Sequence, residues 1–220
     1  MDTFQEFITY VSQNSGYIAA QFYRHFLMAA YGVLFAAIVS IPLGVLIAKY
    51  GRLSGWVLAV GNIIQTIPAL GMIAVIMLVL GLGPNTAVMT LFLYSILPIT
   101  QNTYVGMKGV DQALVEAGRA SGMTRFQLLR MVELPLAISV IMAGLRNALV
   151  VGIGIAAIGA FVGAGGLGEI ILTGTNATDG MAIILAGAIP TAFMAIIADM
   201  LMGWIERKLH PFKQSKPQTS

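Results

Sequence analysis

The chain has 220 residues, 58% of them hydrophobic and 10% charged, with a mean hydropathy of +0.87. A soluble globular domain cannot hide that much apolar surface, and the absence of cysteine excludes disulfides and thiolate metal sites. The net charge of +3 is scattered between apolar runs instead of gathered on one face, so no nucleic-acid partner is expected.

Residues 1–20 read as an N-terminal extracytoplasmic or interfacial segment. Asp2 and Glu6 stand where a cleavable signal peptide carries basic residues. Phe4, Phe7, Ile8 and Val11 recur at helical spacing, which predicts a short helix lying in the membrane interface, with a frayed tail as the alternative.

A hydrocarbon core of about 30 Å takes about 20 helical residues to cross. Runs at 26–48, 56–80, 86–105, 138–162 and 181–204 meet that length. They predict an all-α, polytopic, five-span membrane domain over 21–209, with a cytoplasmic tail at 210–220. The breaks at 51–55 and 81–85 carry the glycine, proline and asparagine of turns. Pro68 and Pro98 should bend their helices by removing a backbone bond. Between the last two runs, 163–180 holds an apolar stretch at 167–172 that is too short to span, so a short outer or re-entrant helix is expected there.

Basic residues set the orientation, because positive loops resist translocation. Lys49 and Arg52 follow the first run; Lys108, Arg119, Arg125 and Arg130 follow the third; Arg207, Lys208, Lys213 and Lys216 follow the fifth. The other two breaks have none. The N-terminus is therefore expected outside and the C-terminus in the cytoplasm, with Arg24 the exception and Arg146 within the fourth run.

The longest polar break, 106–135, must then fold in water on the cytoplasmic side. Within it Glu116-Ala117-Gly118 is followed after three residues by Gly122, and after nine more by Val132-Glu133-Leu134-Pro135. A helix at 112–121 turning at Gly122 and a second at 125–132, opening on Arg125 and leading into Pro135, fit that spacing. The pattern resembles the EAA loop of binding-protein-dependent ABC importers, with Gly118 for an alanine and Val132 for an isoleucine. Gln65 to Leu70, Leu97 to Ile99, Asn102 to Tyr104, Gly106 to Asp111 and Phe161 to Gly168 are similar to permeases of the osmoprotectant type, over nearly the whole chain. The resemblance implies a type I importer permease whose loop couples to two ATPase subunits. It further implies a second permease, identical or paralogous, and an external binding protein. The solutes it implies are glycine betaine, carnitine and choline. ATP and Mg would sit on the partner ATPases, since this chain has no G-x-x-x-x-G-K-[ST] loop; no catalytic residue, cofactor or metal is expected in it.

Gln65, Thr66, Tyr94, Ser95, Gln101, Asn102 and Asn147 are polar residues within or at the ends of apolar runs. They are candidates for lining a solute pathway, and hydrogen bonding between helices accounts for them equally well. Arg146 and Asp199 are the charges expected at membrane depth, where a mutual ion pair would offset their cost. Gly163, Gly165 and Gly168 match a dinucleotide fingerprint without its βαβ setting and read as a tight turn. Gly159 and Gly163 form a GxxxG whose packing partner is open, within the subunit or across a permease pair. His25 and His210 lie too far apart in the chain for a shared metal. The rival readings are an ABC permease for another small solute such as an amino acid, an ATP-independent secondary transporter or channel, and a non-conducting membrane partner.

Overall fold

The computed structural model describes residues 3–209; Met1, Asp2 and the expected tail with His210, Lys213 and Lys216 lie outside the described residues. Helix α1, Thr3–Gln13, passes through Asn14 directly into α2, Ser15–Lys49. The expected apolar stripe of α1 divides. Phe7 and Val11 pack, with Tyr10, on a core that includes Ile18, Ala29, Ile153 and Met194, whereas Phe4 and Ile8 stay exposed. With 35 residues, α2 is about 50 Å long at 1.5 Å per residue, more than a bilayer core requires. It starts well before the expected boundary at residue 26, because the Ser15–His25 stretch buries Ile18, Gln21 and His25 against other helices and so needs no lipid-facing apolar run.

The run at 56–80 is not one rod. It forms α3, Ser54–Thr66, and α4, Ala69–Leu80, bent by 97° at the break. Each is only about 18–20 Å long. Pro68 is the cause: it lacks an N–H and forces Ile67 out of the helical region, to φ −73° and ψ 126°. Apolar length alone could not register that break. Pro98 behaves differently, lying inside the continuous helix α5, Pro84–Lys108.

Helix α5 is the centre of the bundle, packed between α2 and α8 (Leu134–Ala156). Thr86, Thr90, Ser95, Thr100 and Thr103 are buried on it. Thr90 and Thr103 hand their hydroxyl protons to carbonyls one turn back, Thr86 and Ile99, each at 2.8 Å, which lets a polar helix sit inside apolar neighbours. Among the described residues, Ser15–Lys49, Arg125–Val162 and Met181–Leu209 are individually long and apolar enough to cross a membrane, and α3 with α4 pass that test only as a bent pair.

The seam between α2 and α5 is built from small residues four apart: Gly32, Ala36, Ser40 and Gly44, all buried. A Cβ on Gly32 would lie 2.5 Å from Leu91 Cβ, and one on Gly44 would lie 2.5 Å from Thr103 Cβ and 2.9 Å from the Thr100 carbonyl oxygen. Gly44→Val is therefore expected to overpack the seam at a cost of about 1–3 kcal/mol. The check is the yield of monodisperse protein after detergent extraction, which should fall sharply for Gly44→Val and stay at the parent level for Gly55→Ala, where an added Cβ meets nothing within 4 Å.

After α5 come α6, Gln112–Ala120, and α7, Arg125–Leu128. The second loop helix does not stop ahead of Pro135. It runs through a π-turn, Leu129–Glu133, into α8 and on through the 3₁₀ turn Ala157–Val162, an apolar helical segment of 38 residues. Leu134 donates its N–H to the Leu129 carbonyl, five residues back; Pro135, which has no N–H to contribute, falls in the first turn of α8 just beyond that wider turn. Helix α9, Leu167–Thr175, then crosses back to α10, Met181–Leu209, and packs on it.

Candidate functional site

A cavity of about 330 Å³ opens between α3, α5 and α8, with Gln65, Tyr94, Ser95, Gln101, Asn102 and Asn147 in its wall. These polar residues come from separate parts of the sequence and converge only in the bundle. Thr66 does not join them; its hydroxyl turns back to the Ile63 carbonyl at 2.7 Å. No charged residue stands in the wall.

Two of the six also repair the backbone. Because Pro98 has no N–H, the Tyr94 carbonyl loses its helical partner, and Gln65 Nε2 donates to that oxygen at 3.1 Å. The Tyr94 hydroxyl in turn donates to the Ile67 carbonyl at the α3–α4 break. One residue pair thus caps the defects made by both prolines and ties the broken helix to α5. Asn102 donates to the Pro98 carbonyl at 2.8 Å and packs where Gly144 lets α8 approach, a Cβ there lying 2.6 Å from Asn102 Cβ. Ser95, Gln101 and Asn147 complete the polar wall.

The Glu116–Pro135 segment forms a helical elbow. Asp111 caps α6 by accepting the Ala113 N–H at 2.9 Å. At the other end Gly122 takes φ +80°, its N–H donating to the Arg119 carbonyl at 3.0 Å while the Met123 N–H donates to Gly118 at 3.2 Å. That bond pair closes a helix only when a left-handed residue follows its last turn. Thr124 and Gln127 then cap α7 reciprocally, side chain to backbone in both directions. Thr-x-x-Gln at 124–127 is a local sequence signal that fixes the start of this helix. Gly118, the departure from alanine, is buried, and a Cβ there would meet Leu128 Cδ1 at 2.7 Å. Val115, Leu128 and Val132 pin the elbow to Met107, Ala137 and Ile141 of the bundle. Glu116, Ala117, Arg125 and Phe126 remain exposed, Leu134 is half-buried and Pro135 is exposed.

Arg146 on α8 meets Asp199 on α10 in a two-pronged contact, Nε to Oδ1 and Nη2 to Oδ2, both 2.6 Å. Glu206, about two turns further along α10, takes the remaining nitrogen at 3.4 Å. Sequence reasoning missed this third member, although its i+7 spacing from Asp199 puts it on the same face. Gly203 makes the room, since a Cβ there would lie 2.9 Å from Arg146 Nη1. The cluster lies on the outside of the bundle, with Arg146 36% and Asp199 42% exposed.

At the opposite end, α2 holds the glycine-rich turn. The Gly166 N–H donates to Gln21 Oε1 at 2.6 Å and the Leu167 N–H to His25 Nδ1 at 3.2 Å, while His25 Nε2 donates to the Ile153 carbonyl at 2.8 Å. The ring is therefore neutral and protonated on Nε2. Gly163, Gly165 and Gly166 all have positive φ, and a Cβ on Gly168 would overlap the Ala157 carbonyl. The fingerprint-like spacing is a turn packed on a helix end. Gly159 packs within the subunit, where a Cβ would lie 3.1 Å from Ala87 Cβ; Gly163 turns the chain instead.

A helical bundle with an uncharged polar cavity and a capped elbow continuous with one of its longest helices has an architecture suited to a membrane permease. The family described as binding-protein-dependent transport system inner membrane component matches residues 40–211, and this chain belongs to it. The chain is 68% identical over 216 residues to the glycine betaine/carnitine/choline transport system permease protein OpuCD of Bacillus subtilis, covering 98% of this chain and 94% of that protein. It is 64% identical over 220 residues to the carnitine transport permease protein OpuCD of Listeria monocytogenes, covering 100% and 99%. A chain of the inward-facing MetNI methionine ABC transporter superposes with TM-score 0.78 at 23% identity, covering 87% of this chain and 95% of that one; this establishes a shared fold.

Proposed function

We propose that this chain forms the translocation pathway of an ATP-driven importer of quaternary-amine osmoprotectants. It crosses the membrane five times, with the bent pair α3–α4 serving as one crossing, its N-terminus outside and its elbow in the cytoplasm. Two ATPase subunits grip the elbow, a second permease completes the pathway, and an external binding protein delivers glycine betaine, carnitine or choline. The observation that carries this reading is the elbow's continuity with α8: force applied at Arg125 travels along a single helical segment to Asn147 in the cavity wall. ATP binding and hydrolysis in the partners then bias the bundle between outward and inward access.

The uncharged wall suits the solute class. Betaine and carnitine are zwitterions and choline is a cation; a fixed charge in a low-dielectric wall would hold one of them and repel another, whereas amide and hydroxyl dipoles admit all three. Affinity and choice then rest with the binding protein. Uptake of labelled choline and glycine betaine into vesicles carrying the four components tests the proposal: omission of this subunit should abolish ATP-dependent uptake, and ATP-independent uptake by this chain alone would overturn it. Asn147→Asp should shift the ratio of choline to betaine uptake upward by about tenfold, the scale set by one carboxylate near a cation in a partly dry site, and an unchanged ratio would remove Asn147 from the pathway.

A further inference from the structure

A second cavity, of about 740 Å³, lies between the elbow and the inner ends of the long helices, and the pathway does not use it. Lys49 ends α2, Lys108 ends α5, Arg119 lies on α6 and Arg125 opens α7; all four line this cavity, and none is in an ion pair among the described residues. Glu133 is the one acid in the wall, and its Oε2 is buried without a hydrogen-bond partner among the described residues. All four cations are exposed, so water screens their mutual repulsion, while an anion placed among them is attracted by each. The buried Glu133 oxygen, in contrast, is costly to leave without a donor. Met107 and Leu128 add an apolar floor.

We propose that this cavity binds the phosphate of an acidic lipid headgroup that also carries free hydroxyls, of the glycerol type. The inference rests on the topology proposed above, which puts the Lys49 and Lys108 ends at the headgroup level of the cytoplasmic leaflet. A phosphodiester there meets ammonium groups from α2 and α5 and guanidinium groups from α6 and α7, the geometry in which basic pockets between membrane helices take acidic lipids. A headgroup hydroxyl donates to Glu133 Oε2, which distinguishes a glycerol headgroup from a bare phosphate monoester. Bound this way, one lipid ties the elbow to the ends of two bundle helices. The same phosphate chemistry in a soluble molecule is the alternative source.

The test uses the assembled transporter in phosphatidylcholine vesicles containing phosphatidylglycerol, phosphatidic acid or neither, followed by gentle extraction and native mass spectrometry of retained lipid. Phosphatidylglycerol should be retained over both other lipids, and Lys49→Gln/Lys108→Gln should retain about tenfold less of it, the loss expected from two charge-assisted contacts. Glu133→Leu should erase the preference for phosphatidylglycerol over phosphatidic acid. Equal retention of phosphatidylcholine, unchanged retention by the lysine variant, or displacement of the lipid by glycerol phosphate in solution would each overturn the proposal. Choline uptake measured in the same vesicles separates the two readings: uptake without selective retention defeats the lipid site alone, and selective retention in a complex that imports no quaternary amine defeats the transport reading alone.

Discussion

Gly122→Val is expected to abolish ATP-dependent uptake while the subunit still inserts into the membrane. Gly122 sits at φ +80°, just past the last turn of α6, where it lets the Met123 and Gly122 N–H groups reach the Gly118 and Arg119 carbonyls. A β-branched residue held in that conformation costs about 1–3 kcal/mol. Helix α6 has only nine residues and no independent stability to draw on, so the strain is relieved by unwinding its end. The elbow then loses its shape while α2, α5 and α10 are untouched. Gly122→Asn is the discriminating control, because asparagine tolerates the left-handed region. Uptake should fall at least about tenfold for valine, in line with that strain, and much less for asparagine, with equal amounts of both in the membrane fraction and less ATPase copurifying with the valine variant. Undiminished uptake with valine would remove the elbow from the coupling path.

Arg146→Met should sharply lower the amount of folded subunit recovered from membranes. The arginine holds Asp199 through two 2.6 Å contacts and Glu206 at 3.4 Å, and both acids lie on α10. Removing the cation leaves two carboxylates facing each other on a helix apolar enough to cross the bilayer. Asp199→Asn is expected to be milder, since Glu206 remains to balance the guanidinium and asparagine still accepts a hydrogen bond. Combining Arg146→Met with Asp199→Leu and Glu206→Leu should recover much of the yield, because a fully apolar contact replaces a charged one. The measurement is the monodisperse fraction after extraction. Parent-level yield for Arg146→Met alone would mean that water or lipid headgroups already satisfy the acids.

Much of the elbow was readable because its signals are local. Asp111, Gly122 and Thr124 act on backbone groups within a few residues, and the Glu116 to Pro135 spacing survives intact. The path through Pro135 was not readable. Whether a proline ends a helix or sits in the first turn of the next depends on the Leu129–Glu133 π-turn, whose bonds reach five residues back and leave no mark in composition. Pro68 and Pro98 make the same point: one breaks its helix and the other does not. The difference is that α5 is enclosed by α2 and α8, and Gln65 supplies the carbonyl partner that Pro98 withholds.

Local signals in the chain were enough for the membrane environment, the helical class, a short helix at the 167–172 stretch and a helical elbow turning at Gly122. Each follows from apolar length, turn chemistry or residue spacing within one stretch of chain. Helix packing settles which polar residues share a wall, which glycines are seams and which are turns, and how Lys49, Lys108, Arg119 and Arg125 come to surround one space. Those outcomes depend on how far and at what angle distant helices approach, and that is set by packing between side chains far apart in sequence.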